Sequence, residues 1–134
     1  MNGNLLIRIG IGLVFIWGGL EKFIAGFLGG PGLDGATGFL KSIGLDLGGA
    51  TMVLTIILAL TELAGGLLIL AGKKLFEAYA VLALVIFVAI LLVWAPGAFA
   101  DFTANNNTTW VGFIVHLGLL FTLAGLALNN KKKA

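Results

Sequence analysis

The sequence predicts an all-α integral membrane protein: one domain over residues 1–134, built as a bundle of four helices that each cross the bilayer. Three observations carry this. Of the 134 residues, 60% are hydrophobic and only 10% charged, whereas a soluble domain needs about 25% charged residues to cover its surface. Mean hydropathy is correspondingly high, at +1.12. Four stretches reach the roughly 20 apolar residues needed to cross about 30 Å of hydrocarbon. Finally, these runs are continuous rather than alternating at period two. They therefore read as helices, which satisfy their own backbone in lipid, and not as barrel strands.

The first helix is expected over residues 5–23. It is too long for the apolar core of a signal peptide and ends in Glu21-Lys22 rather than small residues, so it is read as a retained span. A long Gly-rich connection follows, over residues 26–50. Within it Phe39, Leu40 and Ile43 share one side of a short amphipathic helix lying at the membrane surface, with Asp34 placed to cap its start. The second helix is expected over 51–72 and the third over 75–95. Only Lys73-Lys74 separates them, which demands a tight antiparallel hairpin. A loop over 96–107, polar and Asn-rich towards its end, leads to the fourth helix over 109–128.

Orientation follows from the distribution of Lys and Arg. With four spans, the N-terminus, the Lys73-Lys74 turn and the C-terminus share a side. That side holds Arg8, Lys73, Lys74, Lys131, Lys132 and Lys133, against Lys22 and Lys41 on the other. The excess places both termini in the cytoplasm, and it leaves Trp94 and Trp110 at the outer interface as an aromatic belt. The sequons at Asn106 and Asn107 then fall outside but close to the membrane, where their use is not expected. The basic tail reads as a cytoplasmic anchor.

Ionisable side chains within a span are costly, roughly 2.5–3.5 kcal/mol at the centre on insertion scales. Each one therefore needs a reason. Arg8 and Glu77 lie within a turn of the inner ends of helices one and three, where they could form an ion pair or snorkel to water separately. Glu62 lies near the middle of helix two, roughly 15 Å from either end at the helical rise. Snorkelling cannot reach water from there, so Glu62 must face the bundle interior, find a partner or be protonated. His116 has a comparable depth on helix four, and a Glu62–His116 hydrogen bond is one specific pairing. Helix one carries Arg8, Gly12, Phe15, Gly19 and Lys22 on one face, with Glu21 and Lys22 near its outer end. Helix two carries Ala59, Glu62, Gly65 and Gly66 in the same way. The small residues mark close packing faces, and the polar groups on those faces point inward together.

The composition also excludes chemistry. The chain contains no cysteine and a single histidine. Thiolate metal sites, Fe–S clusters and two His haem ligands within one copy are ruled out. No phosphate loop, zinc spacing, nucleophile triad or nucleic-acid-binding basic patch occurs.

Arg8, then GLVFIWGGLEKF at 12–23, GFLKSIGL at 38–45 and ELAGGLLILAG at 62–72, resembles the DoxX family over the first half of the chain. The second half is similar in hydropathy alone. The resemblance implies a four-helix protein of the cell membrane of a bacterium or archaeon. It also implies kinship with subunits of thiosulfate:quinone oxidoreductase and with accessory parts of other membrane oxidoreductases. Arg8, Lys22 and Glu62 are the family-like polar positions.

Three functions are consistent with these features. The first is an accessory subunit of a larger membrane oxidoreductase or respiratory-type complex that borders a quinone site. A quinone needs an apolar cleft and one or two hydrogen-bonding groups, which Arg8, Trp17, Glu21, Lys22, Glu62 and His116 could supply. The second is a purely structural subunit that contacts other membrane subunits, or itself, within lipid. The third is a small transporter or proton pathway. The chain carries no redox centre of its own, so quinone is the only cofactor expected.

Overall fold

The computed structural model describes residues 2–104 and 109–131. The sequons, the Asn-rich stretch at 105–108 and the tail at 132–134 lie outside the described residues. The ordered elements are helical throughout. They are α1 (Gly3–Phe23), a 3-10 turn (Phe27–Gly29), α2 (Gly32–Ser42), α3 (Gly49–Ala71), α4 (Leu75–Ala89), a π turn (Ile90–Trp94), α5 (Ala95–Thr103) and α6 (Trp110–Asn130). Four of the resulting spans are long and apolar enough to cross a membrane: α1, α3, the continuous run Leu75–Thr103, and α6.

α1 and α3 run antiparallel and very close. A Cβ built on Gly12 would stand 3.1 Å from the Gly66 carbonyl oxygen, and one on Gly19 would stand 2.7 Å from that of Ala59. Only glycine lets the two backbones meet at this distance. α3 ends in a Schellman cap. Gly72 adopts a left-handed conformation (φ +72°) and donates its N–H to Ile69 O, while the Lys73 N–H reaches Leu68 O. This closes the last turn and folds α4 back against α3, where Leu82 fills the space left by Gly65. α4 in turn packs on α6. Tyr79, Leu82, Ile86, Leu123 and Ala127 form the centre of the core, joined from α1 by Phe15 and from α3 by Ile69. The outward faces carry exposed Leu13, Leu60, Leu67, Leu84, Phe87 and Phe121, the surface expected where the solvent is lipid.

Three elements depart from the expectation. The third span does not stop at Ala95. It continues as α5 to Thr103, so most of the expected loop over 96–107 is helical. Pro96 is responsible for the form of the join. It has no N–H, and its ring would crowd the carbonyl of Leu92 in a regular α-helix. The chain widens here into a π turn, with the Ala95 N–H reaching back to Ile90 O, and continues. Trp94 consequently lies nine helical residues, about 13 Å, before the end of its span, and it turns into the bundle rather than joining a belt. Asp34 sits inside the first turn of α2, with Pro31 at the cap position. α2 itself packs against the bundle and does not merely lie on the surface: Ala36, Thr37 and Leu40 are buried. The Thr37 hydroxyl donates to Thr55 (3.1 Å), Thr55 donates to Thr51 O (2.9 Å), and Thr51 donates to Leu45 O (3.0 Å). This chain of hydroxyls fixes α2 and its exit loop to α3.

Candidate functional site

The buried polar groups of α1 and α3 converge at one place. Lys22 Nζ lies 2.7 Å from Glu62 Oε2, 2.8 Å from the Gly18 carbonyl oxygen and 3.5 Å from Glu21 Oε1. An ammonium has three protons to donate, and three acceptors surround this one. Lys22 lies in the last turn of α1 but its four-carbon stem runs back along the helix, which lets the charge reach Glu62 near mid-span. Gly18 makes this possible, since a Cβ there would stand 3.0 Å from Glu62 Oε2. The side chains of Lys22 and Glu62 are 15% and 11% exposed. Charges this buried are stable only when paired and hydrogen-bonded.

A second polar pair stands on the other side of the bundle. The Trp94 and His116 rings stack with centroids 4.4 Å apart and planes inclined by 29°. Both neighbouring elements contribute. The π turn aims Trp94 inward, and Gly112 gives the indole room, since any Cβ there would collide with its six-membered ring. His116 Nδ1 lies 2.7 Å from the Gly112 carbonyl oxygen. A carbonyl only accepts, so Nδ1 carries a proton, and in the neutral ring Nε2 is then a lone-pair acceptor.

Between the two pairs lies a cavity of about 660 Å³. Glu21, Lys22 and Glu62 line one side and Trp94 and His116 the other. The walls between them are apolar: Leu54 and Leu58 from α3, Val85, Ile86 and Ala89 from α4, and Leu92 and Val93 from the π turn. Phe39, Leu40 and Ile43 bring α2 across as a cover. These are the same three residues whose common side the sequence marks as apolar.

Not every candidate residue belongs here. Arg8 lies at the opposite end of α1, where its Nε donates to Ile69 O (2.9 Å) and an Nη to Leu70 O (2.7 Å). It thereby satisfies the open carbonyls at the end of α3. No Arg8–Glu77 ion pair forms among the described residues, because the guanidinium is drawn to these carbonyls while Glu77 is exposed. Trp17 is 40% exposed on the outer face of α1 and does not line the cavity. Glu62 and His116 share the cavity but are not hydrogen-bonded to each other, since Lys22 and Gly112 O hold them separately. Trp94 is the site residue that sequence reading misses. Its visible signal is Pro96, which forces the local helix distortion, together with Gly112 four residues before His116.

A family model for DoxX matches residues 3–95. The chain belongs to the DoxX family. The matched region contains Arg8, Glu21, Lys22 and Glu62 and ends at the π turn, so the DoxX match takes in the whole α1–α3 half of the cavity and stops before His116. It also extends past the first half of the chain, through α4. The chain matches no curated protein and no solved structure.

Proposed function

We propose that this DoxX protein is an accessory subunit of a larger membrane oxidoreductase and that its cavity receives a quinone. The observation that carries the reading is the cavity between the Lys22–Glu62 pair and the Trp94–His116 stack. Its volume of about 660 Å³ suits a ring-sized headgroup, within the roughly 300–1,000 Å³ common for small-molecule sites. Its walls are apolar, as an isoprenoid carrier requires, and its polar groups are few and placed on opposite sides. Glu62 and His116 both line the cavity, and Glu62 Oε1 and His116 Nε2 have no hydrogen bond among the described residues. Such open polar atoms fit a ligand with a polar group at each end.

When bound, a quinone would supply electron-carrying capacity that the chain lacks. The residues themselves bind and orient. Trp94 and His116 offer a stacked aromatic wall, Lys22 holds the Glu62 carboxylate in place, and Leu54, Leu58 and Val85 exclude water. The same reading places both termini in the cytoplasm of a bacterium or archaeon, with α2 on the outer side of the cell membrane. Lys and Arg asymmetry supports that orientation.

The test is purification of the full chain in mild detergent, followed by extraction and identification of co-purifying quinone and proteins. Quinone, counted in both redox forms, at a fixed ratio to the chain and lowered severalfold in Leu58→Trp, which fills the cavity, is the expected result. An unchanged quinone content in a folded variant would count against the cavity. Migration of the chain by itself would count against the accessory role.

A further inference from the structure

The polar atoms that the cavity leaves open are mostly acceptors. Lys22 donates to Gly18 O and Glu62, and its charge is further held by Glu21 at 3.5 Å. The Thr55 hydroxyl donates to Thr51 O and accepts from Thr37. What remains on the α1–α3 side is carboxylate oxygen: Glu62 Oε1, and Glu21 beside it. On the α6 side it is the lone pair of His116 Nε2, fixed by the bond from Nδ1 to Gly112 O. The Trp94 Nε1–H is a donor without a hydrogen bond among the described residues.

A dicarbonyl ring would bring lone pairs against lone pairs at both ends. It would leave buried acceptors unsatisfied, which carries the full desolvation penalty of those groups. A dihydroxy ring donates at both ends, and a hydroxyl also accepts, so it answers Trp94 as well. We infer that the cavity selects the reduced, dihydroxy form of its ligand, a hydroquinone headgroup, over the dicarbonyl form. This rests on the quinone reading above and adds the redox form to it.

Calorimetric titration of the full chain in lipid nanodiscs tests the inference. The probes are a short-chain 1,4-benzoquinone and the matching hydroquinone, the latter kept reduced without oxygen. The hydroquinone is expected to bind about tenfold or more tightly, the size of one to two satisfied hydrogen bonds. Equal, measurable binding of both forms, or tighter binding of the quinone, overturns the preference and leaves the ligand class standing. Binding of neither form overturns both. His116→Phe keeps a ring against Trp94 but removes the acceptor. It is expected to lose most of the preference, the hydroquinone affinity falling more than the quinone affinity. A preference undiminished in that variant would overturn the part assigned to His116. The comparison on the unaltered chain depends on no variant's folding.

Discussion

Lys22 Nζ and Glu62 Oε2 stand 2.7 Å apart across the α1–α3 interface, with Glu62 near the middle of its span. Removing either partner leaves an uncompensated charge in a low-dielectric interior, and that asymmetry yields a prediction. Lys22→Met should destabilise the bundle by about 3–5 kcal/mol. The double variant Lys22→Met/Glu62→Met should recover much of the loss, because a pair of apolar side chains leaves no orphan charge. Thermal unfolding in detergent, read as a double-mutant cycle, measures the coupling. Additive losses would mean that the two residues act independently.

Glycines in the spans differ in what an added Cβ would meet. Gly19 and Gly66 face backbone of the opposing helix at 2.7–2.8 Å from any added Cβ. Backbone cannot yield as a side-chain tip can. Gly19→Ala and Gly66→Ala should each destabilise by about 1–3 kcal/mol through forced helix separation. Gly10 and Gly118 have nothing within 4 Å of a built Cβ. Alanine there should be neutral or stabilising by up to about 1 kcal/mol, the helix-propensity difference. Melting temperatures of the four variants, measured side by side, check the contrast.

Arg8 bonds two carbonyl oxygens at the end of α3 with two different nitrogens. Lysine offers a point charge without that fixed fork. Arg8→Ala should cost about 1.5–3 kcal/mol, as expected for bonds from a charged donor, with Arg8→Lys intermediate. Amide hydrogen exchange should rise first at residues 68–72, where the cap loosens. Faster exchange spread evenly over α3 would point to a global effect instead.

Pro96 is the cause assigned to the π turn at Ile90–Trp94. With Pro96→Ala a regular α-helix becomes available, at roughly 3 kcal/mol less penalty in the helix interior. Trp94 should then rotate off His116. Its near-ultraviolet circular dichroism should change while total helicity stays constant. An unaltered signal would show that the packing of Trp94 against Gly112 and His116 holds the turn by itself.

The four spans and the inward polar faces are legible in the sequence because each rests on a short-range rule. Span length follows from hydrocarbon thickness, and the stripe through Gly12, Phe15 and Gly19 follows from helical period. The depth of Glu62 follows from counting residues along one helix. Pairing is less legible. Lys22 reads as an outer-end residue because position along a helix says nothing of where a four-carbon stem lays its charge. The same limit hides the partner of Arg8, which is backbone and so leaves no mark in residue identity. Trp94 reads as interfacial because Pro96 resembles the end of a helix. Whether a proline ends a span or only distorts it depends on what the following residues pack against, here Thr109 beside Gly97 and the bond from Thr109 to Asp101.

The Lys22–Glu62 pair also bears on how the protein is made. α1 is the least apolar of the four spans, and it precedes α3 in the chain, carrying a lysine whose counter-charge lies forty residues downstream. Until α3 is made, that ammonium has Glu21 and the Gly18 carbonyl beside it but not Glu62. Synthesis of α3 delivers both the missing carboxylate and the carbonyls that Arg8 holds, so two fasteners of the same helix pair, one near mid-span and one at its end, close together. The α1–α3 pair is therefore expected to settle in the bilayer as a unit, with α1 held less firmly in a chain interrupted before α3.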